Sequence, residues 1–195
     1  GLGDVYKRQR YMDLGRVSWA DDRGIRQSRL YAISAGIGFD ALVCELALHA
    51  KLKTFLNRIG LGKLVYLILT VKSMRALQVQ DAYIEFEGGE SYELKDMVFA
   101  AAMNQPYEGG GVPMAPDAKN DDGLLSVIFV EDIPKKKMPR MLLRLLLKKH
   151  KKIQGLRLKD TKSVRIHSDT PLVVHSDGEF CGCLLYTSPS PRDRG

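Results

Sequence analysis

The chain has 195 residues, of which 45% are hydrophobic and 27% charged, a balance that predicts one packed domain and excludes wholesale disorder. Its net charge of +7 favours acidic partners such as nucleic acid, anionic lipid headgroups or phosphorylated small molecules, without choosing among them. Three cysteines exclude a disulfide framework and indicate a reducing cytoplasm, and no apolar run approaches the ~20 residues of a membrane span.

The two ends of the chain differ from the rest. Residues 1–9 and 183–195 resemble translated adaptor read-through, and a flexible tail is the alternative because Ser-Pro-Ser-Pro occupies 188–191. We expect both segments to be foreign to the domain. The domain itself is expected over residues 10–182, truncated on both sides.

The first half of the domain predicts one strand followed by two helices. The sequence LYAISA at 30–35 is typical of a short buried strand, which Gly36 and Gly38 end. Apolar residues then recur at helical spacing over 40–52 and again over about 61–77, so we expect a helix in each segment.

The second half predicts mainly antiparallel strands. Alternating sequences at 83–87 and 90–94 flank Gly88-Gly89 and predict a hairpin. A helix is expected from Pro139 to about Lys152. Further short strands are expected at 97–103, 124–130, 163–167 and 172–174. We therefore predict an α+β fold, mainly an antiparallel β-sandwich with helices inserted.

A glycine turn at 36–41, Gly-Ile-Gly-Phe-Asp-Ala, follows the first strand and opens the first helix. That is the context of a dinucleotide-binding fingerprint, in which a pyrophosphate rests on a helix N-terminus. However, no acidic ribose ligand occurs between Glu45 and Asp81, and a second parallel strand is missing. A tight strand-to-helix turn is the alternative.

The loop Asn104-Gln-Pro-Tyr-Glu-Gly-Gly-Gly111 comes straight after a predicted strand. Its three glycines let a backbone approach a phosphate or a lipid headgroup closely. A flexible loop is the alternative, although three consecutive glycines are costly in conformational entropy.

The loop Asp117-Ala-Lys-Asn-Asp-Asp-Gly123 is rich in acidic residues. Its oxygen ligands suit a hard cation, although the spacing is not that of an EF-hand. The alternative is an Asp-Gly turn that leads into the strand at 124–130.

The sequence Asp177-Gly178-Glu179 follows the last predicted strand. Two carboxylates at a strand end can act as a general base and its supporting residue. Asp-Gly is also a strong turn dipeptide, so a plain hairpin turn is the alternative.

The segment 131–165 holds thirteen Lys or Arg against three acidic residues, a local net charge of +10. Such a segment suits an anionic bilayer surface, and an ordinary solvated helix is the alternative. Nucleic acid is disfavoured because no aromatic residues interleave the charges. The helix is expected to separate leucines from cations, with Leu142, Leu145 and Leu146 on one side and Arg140, Arg144 and Lys148 on another.

Four of these motifs occur in the order found in a known family. The sequences G-I-G-F-D-A at 36–41, N-x-P-Y-x-G-G-G at 104–111, A-P-D-A-x-x-D-D-G-L at 115–124 and D-G-E at 177–179, preceded by Met12-Asp-Leu-Gly15, resemble the C-terminal domain of the bacterial diacylglycerol kinase and YegS-type lipid kinase family. The resemblance covers nearly all of the expected domain. It implies an enzyme that transfers the γ-phosphoryl group of ATP to a lipid hydroxyl with magnesium.

The resemblance also implies roles for individual residues. Glu179 corresponds to the family's general base, with Asp177 supporting it. A structural magnesium ion corresponds to the Asp122 carboxylate with the backbone carbonyls of Lys119 and Leu124. The residues that correspond to the family's cofactor-binding loop are Asn104, Gly109, Gly110 and Gly111.

The family's N-terminal domain, with its G-G-D-G-T nucleotide motif, has no counterpart in this sequence. The chain is therefore expected to be the lipid-substrate half of a lipid kinase, inactive alone because most ATP contacts belong to the missing domain. The basic segment is expected to hold it peripherally at the anionic cytoplasmic face of the membrane, and homodimers are common in the family. The lipid stays open among diacylglycerol, phosphatidylglycerol, a long-chain base and undecaprenol.

Two other functions compete with this interpretation. A non-catalytic membrane-surface module would use only the basic helix, and it would keep lipid binding after Glu179→Gln. A dinucleotide-binding oxidoreductase would require NAD binding that Gly38→Val abolishes.

Overall fold

Antiparallel strands make up most of the regular secondary structure in the described chain. The computed structural model describes residues 11–21, 23–39, 74, 77–108, 111–168 and 170–184. Within these ranges lie eleven strands and one α-helix described over its whole length, α1 (Met138–Leu146), with short 3-10 turns before and after it at Lys135–Lys137 and His150–Lys152. The strands are β1 (Gly15–Ala20), β2 (Arg26–Tyr31), β3 (Ser34–Gly38), β4 (Gln80–Phe86), β5 (Ser91–Met97), β6 (Phe99–Met103), β7 (Leu125–Val130), β8 (Leu156–Thr161), β9 (Val164–Ser168), β10 (Leu172–Ser176) and β11 (Glu179–Leu184).

Two sheets pack face to face. A six-stranded sheet has the order β11-β10-β3-β6-β7-β8, and a three-stranded sheet has the order β5-β4-β9. Neighbouring strands are antiparallel throughout both sheets, and β1 pairs with β2 in a separate two-stranded sheet. The predicted α+β fold, mainly an antiparallel sandwich with a helix inserted, is therefore confirmed.

The centre of the six-stranded sheet is buried on both faces. In β7, Val127 and Phe129 pack with the three-stranded sheet, whereas Ile128 and Val130 join a second cluster that includes Met141 of α1. Because successive side chains of a strand point to opposite faces, a strand buried on both needs a continuous apolar run. The central strands β6 and β7 have such runs, which is why the sequence predicted both.

The hairpin expected around Gly88-Gly89 is confirmed as β4 and β5. The connection has three residues, 87–89, because the Phe86 amide donates to the Glu90 carbonyl at 2.8 Å, and both glycines in it have positive φ, 92° and 87°. Strand β9 corresponds to the strand expected at 163–167, and β10 to the one expected at 172–174.

The strand expected at 30–35 is corrected by the structure. Two strands occupy this region, because β2 ends at Tyr31 and β3 begins at Ser34. The backbone amides of Ala32 and Ile33 between them donate to the carboxylate of Asp177, far away in the sequence. This tertiary contact fixes a turn that the local apolar pattern did not indicate.

The helix expected from Pro139 to Lys152 is shorter than predicted. It ends at Leu146, and Lys148 adopts a positive φ of 55° that stops the helix. The expected leucine side also divides, since Leu145 is buried in the core whereas Leu146 is exposed. The helix therefore has two apolar surfaces, one packed on the core and one exposed to solvent.

Strands β1, β8 and β11 were not expected. Each is an edge strand or belongs to the small two-stranded sheet. The alternation in β8 (LRLKDT) covers only its first four residues, and its second leucine, Leu158, is exposed. Strand β11 continues to Leu184, beyond the expected domain end at 182.

The helices expected over 40–52 and about 61–77 lie outside the described residues, apart from the buried side chains of Met74 and Leu77. Among the residues that the structure describes, no helix has the length and apolar character to cross a membrane.

Candidate functional site

The candidate site begins at the turn between β10 and β11. Asp177 and Gly178 form a two-residue hairpin turn with φ of 50° and 77°. Aspartate and glycine tolerate this left-handed backbone better than other residues do. The turn interpretation of this motif is therefore correct, and it does not exclude a chemical role for the two carboxylates.

The carboxylate of Asp177 is a structural acceptor. Its Oδ1 accepts hydrogen bonds from the backbone amides of Ile33 at 2.8 Å and Ser34 at 3.1 Å, and its Oδ2 accepts one from Ala32 at 2.9 Å. The backbone amide of Asp177 donates in return to the carbonyl of Ser34 at 2.8 Å. Asp177 thus fastens the β10–β11 turn to the turn between β2 and β3.

Tyr31 lies beside this junction and is almost fully buried. Burial, with a further contribution from the negative charge of Asp177, raises the pKa of its phenol. The phenol therefore stays protonated at neutral pH.

Glu179 is the exposed carboxylate of the motif. Its side chain is 64% exposed at the start of edge strand β11, and it forms an ion pair with Arg29 of β2. The hydrogen bond to Glu179 raises the pKa of the Arg29 guanidinium. A carboxylate in this position is open to contact with another molecule, in contrast to the carboxylate of Asp177.

Asn104 directly follows β6 beside the same junction and is fully buried. Its Nδ2 donates to the carbonyls of Asp13 at 2.7 Å and Ala32 at 3.1 Å, while its backbone amide donates to the carbonyl of Ile33 at 2.8 Å. Its Oδ1 has no hydrogen-bond partner in the part of the chain that is described. Asn104 therefore holds the start of the glycine loop in place.

The glycine loop is closed by a short bridge between Glu108 and Val112. The Glu108 amide donates to the Val112 carbonyl at 2.9 Å, and the Val112 amide donates back at 3.0 Å. Gly111 has a φ of 83°, and no heavy atom lies within 4 Å of the position that a Cβ would take. Gly109 and Gly110 fall outside the described residues.

A buried polar cluster of Ser34, Glu108 and His175 joins this loop to the six-stranded sheet. Ser34 of β3 donates its hydroxyl to the Glu108 carboxylate, and His175 Nε2 of β10 lies 3.4 Å from Glu108 Oε1. Ser34 and His175 are fully buried. Because β10 leads directly into Asp177, the cluster links the base of the glycine loop to the strand that carries the two carboxylates.

The acidic loop lies against residue Asp13. Asp122 Oδ1 accepts from the backbone amide of Leu124 at 3.0 Å, and Asp13 Oδ2 accepts from that of Gly123 at 2.8 Å. The Asp13 amide donates to the carbonyl of Asn120 at 2.7 Å. These carboxylates and carbonyls are hard oxygen donors of the kind that magnesium prefers. In the described ranges, no group of three or more His, Cys, Asp or Glu side chains is arranged to hold a metal ion.

The glycines of the 36–41 turn have a packing role. Strand β3 pairs antiparallel with both β6 and β10, whereas a dinucleotide-binding unit is built on parallel strands. Gly38 has a φ of 88°, and a Cβ there would lie 2.6 Å from the carbonyl oxygen of Val98. Close approach of two backbones therefore explains this glycine without a nucleotide.

Residues 33–189 match the family model described as the YegS C-terminal NAD kinase beta sandwich-like domain. The match covers most of the chain, and the antiparallel sandwich agrees with it. The chain belongs to this family. It is a C-terminal domain of the diacylglycerol kinase-like type.

Curated relatives of this YegS-type domain are lipid kinases by name. It is 29% identical over 185 residues to "Putative lipid kinase YtlR" of Bacillus subtilis (strain 168). The aligned region covers 93% of this chain and 59% of the relative. It is 25% identical over 170 residues to a diacylglycerol kinase of Mycobacterium tuberculosis. The aligned region covers 87% of this chain and 50% of the relative. The chain therefore spans between half and three fifths of the length of these relatives.

Solved structures support the fold of the YegS-type domain. A crystal structure titled as a "putative diacylglycerol kinase" from Bacillus anthracis str. Sterne has a TM-score of 0.58 and 18% identity, covering 92% of this chain and 54% of that one. A diacylglycerol kinase structure from the same organism has a TM-score of 0.52 and 15% identity, covering 93% of this chain and 53% of that one. At these identities the likeness concerns the fold alone.

The structure brings several of the expected site residues of the YegS-type domain together. Asp177 and Asn104 both bind the 32–34 backbone, so the D-G-E turn and the glycine loop begin at one junction. The acidic loop connects to it through Asp13, whose carbonyl accepts from Asn104.

Sequence reasoning assigned no role to five residues that the structure places at the site. Asp13 and Glu108 had a sequence signal, since they lie in the Met12–Gly15 motif and in the glycine loop at 104–111, whereas the other three depend on contacts between distant segments. The five are Asp13, Arg29, Ser34, Glu108 and His175.

Proposed function

We propose that this domain is the lipid-substrate half of a lipid kinase, which transfers the γ-phosphoryl group of ATP to the hydroxyl of a diacylglycerol-like lipid. The observation that carries the proposal is the D-G-E turn. Three backbone hydrogen bonds fix Asp177, and the next carboxylate along the chain, Glu179, is left exposed at the edge of the sheet. The names of the relatives support the lipid as acceptor.

In this proposal Glu179 is the general base. Its carboxylate accepts the proton of the lipid hydroxyl while that oxygen forms a bond to the γ-phosphorus and the bond to the departing ADP oxygen breaks. Asp177 is a positioning residue, since its oxygens are occupied by the 32–34 amides. Positioning and charge stabilisation supply most of the acceleration in phosphoryl transfer, so a rigid turn beneath the base is what the reaction needs.

The glycine loop is proposed to contact the phosphates of ATP. Gly111 leaves open space where a side chain would stand, and Gly109 and Gly110 precede it. Asn104 holds the loop at its start. Because the match covers only 59% and 50% of the length of the two relatives, we propose that most ATP contacts come from an N-terminal domain of the whole protein.

Magnesium is part of the same proposal. The Asp122 carboxylate and the carbonyls of Lys119 and Leu124 would hold the ion, with Asp13 packed on the same loop. Bound there, magnesium would neutralise carboxylate charge and stiffen the loop.

The basic segment supplies the proposed location, which is peripheral at the anionic cytoplasmic face of the membrane. Its net charge of +10 over residues 131–165 attracts anionic headgroups. A homodimer is the assembly that the resemblance implies, and light scattering of the purified chain tests it.

A non-catalytic membrane-surface module is the second candidate. The observation that favours it is α1, which combines exposed leucines with a cationic surround and needs no nucleotide to bind a bilayer.

Phosphoryl transfer from labelled ATP to diacylglycerol in mixed micelles separates the two candidates. The chain is assayed together with an ATP-binding N-terminal half. We expect Glu179→Gln to lower turnover by about 10²-fold or more, since a general base contributes on that scale. Glu93→Gln, at an exposed carboxylate of β5, is the matched control and should leave turnover unchanged. Equal turnover of the Glu179 variant and the control would refute the catalytic role.

A further inference from the structure

Three leucines of α1 and its end form an exposed apolar surface. Leu143, Leu146 and Leu147 are 55%, 49% and 53% exposed, and we call them the leucine face. Their spacing of three and four residues places them side by side on the helix surface. The opposite side of α1 is already anchored, because Met141 and Leu145 are buried in the core. The leucine face is therefore not needed to attach the helix to the sheet.

Cations surround the leucine face. Residues 135–152 contain nine Lys or Arg and no Asp or Glu. A second copy of this chain would bring the same nine positive charges against them and would be repelled. An anionic lipid bilayer offers both complements at once, namely negative headgroups for the cations and an acyl boundary for the leucines.

The end of α1 is fastened to the glycine loop on both sides. Lys148 Nζ donates to the Tyr107 hydroxyl at 2.7 Å and lies 5.0 Å from the centre of its ring. His150 Nε2 lies 2.8 Å from the carbonyl oxygen of Pro113. Tyr107 precedes the three glycines and Pro113 follows them, so α1 and the loop are held next to each other.

We propose that the leucine face inserts into the headgroup and acyl boundary of an anionic bilayer, and that this insertion places the glycine loop at the membrane surface. The flanking cations contact the headgroups, and the Lys148–Tyr107 and His150–Pro113 contacts transmit the position of α1 to the loop. Insertion of the leucine face adds to the proposed function, and its relevance to catalysis rests on that function. It names apolar insertion, in addition to charge, as the mode of attachment.

Vesicle sedimentation of the chain tests the insertion without ATP and without any activity reading. The vesicles contain phosphatidylcholine with about 30% phosphatidylglycerol, and a second set contains phosphatidylcholine alone. We expect binding to the anionic set, and we expect Leu143→Ser with Leu146→Ser to weaken it about tenfold or more. The matched control replaces two exposed leucines on strands, Leu30→Ser with Leu158→Ser, and should bind within about twofold of the unchanged chain.

A fluorescence measurement keeps the test independent of any folding defect in the serine variant. Trp19 is the single tryptophan, so Trp19→Phe with Leu146→Trp carries its only indole at the leucine face. We expect a blue shift on adding anionic vesicles and quenching by brominated acyl chains. Normal binding with no shift and no quenching would mean attachment by charge alone, and it would overturn the insertion.

Equal binding of the serine variant and the control, or no binding of the unchanged chain to anionic vesicles, also overturns the proposal. A serine variant that changes only the oligomeric state in light scattering would assign the leucine face to a second copy of the chain instead. If vesicle binding behaves as expected but Glu179→Gln leaves turnover unchanged, the insertion stands and the kinase proposal fails.

Discussion

Asp177 and Glu179 lie two residues apart, yet their side chains have different surroundings. Asp177 turns both oxygens to the backbone of the β2–β3 turn, whereas Glu179 faces solvent beside Arg29. A pair of carboxylates with unlike surroundings can divide structural and chemical roles between them. In this domain the carboxylate that binds the backbone comes from the turn itself, and the exposed carboxylate comes from the edge strand that follows.

Replacing Asp177 by Asn tests the positioning role at the residue scale. Three backbone N–H groups donate to the Asp177 carboxylate. An asparagine side chain has only one acceptor oxygen, and its NH₂ group would face a backbone donor. We expect Asp177→Asn to lower the free energy of unfolding by about 1–3 kcal/mol in urea titration. Asp132→Asn is the control, because Asp132 has nearly the same φ of 51° and is exposed. A loss of equal size in both variants would contradict the role of the three hydrogen bonds.

At the scale of elements, junctions between strands depend on glycines at points of close approach. Gly155 precedes β8 with a φ of 78°, and its carbonyl accepts from the Glu131 amide at 3.0 Å. A Cβ at Gly155 would lie 2.1 Å from the Glu131 carbonyl oxygen. The contact sets where β8 begins to pair with β7, and β8 in turn completes one edge of the six-stranded sheet.

Two alanine substitutions separate backbone strain from steric contact at this junction. Gly24→Ala adds a Cβ at a similar φ of 74° with no heavy atom within 4 Å, so it should cost about 1 kcal/mol. Gly155→Ala carries the same strain and adds the clash, and we expect a further loss of about 2 kcal/mol or more. Thermal unfolding of the two variants gives the difference. Indistinguishable melting temperatures would show that the junction relaxes freely.

At the scale of the whole molecule, one sheet supports two layers and carries the site at one end. The three-stranded sheet covers one face of the six-stranded sheet, and α1 covers part of the other. The centre of the six-stranded sheet is therefore buried on both faces. The β10–β11 turn, the β2–β3 turn and the start of the glycine loop meet at one end of this sheet. A rigid sheet holds these loops in fixed relative positions, which is what a catalytic constellation requires.

Replacing Phe129 tests whether the two sheets unfold together. It is buried between them, with ring centroids 5.9 Å from Phe86 and 5.8 Å from Tyr92 of the smaller sheet. We expect Phe129→Ala to lower the free energy of unfolding by about 3–5 kcal/mol and to keep a single transition. Leu158→Ala, at an exposed position on neighbouring β8, should cost less than about 1 kcal/mol. Two separate transitions in the Phe129 variant would mean that the layers unfold independently.

The β4–β5 hairpin and strands β6, β7, β9 and β10 were predictable from local sequence. Strands β6 and β7 are continuous apolar runs, and the β4–β5 hairpin has its alternation and its Gly88-Gly89 turn within a dozen residues. The motif at 177–179 was visible for the same reason, since its residues are adjacent in the chain. The expected magnesium ligands and cofactor-binding glycines stay predictions that rest on the resemblance.

The sequence by itself determined strands β6 and β7, the β4–β5 hairpin and the family, because each rests on motifs whose residues lie close together in the chain. Only the tertiary structure decided the division of the 30–35 strand and the cluster of Ser34, Glu108 and His175, because their partners come from segments far apart. It also decided that Leu145 points into the core while Leu146 points out, since helical periodicity gives a face and not what covers it. Local patterns record what a segment prefers, and long-range hydrogen bonds and packing select among those preferences when the chain folds.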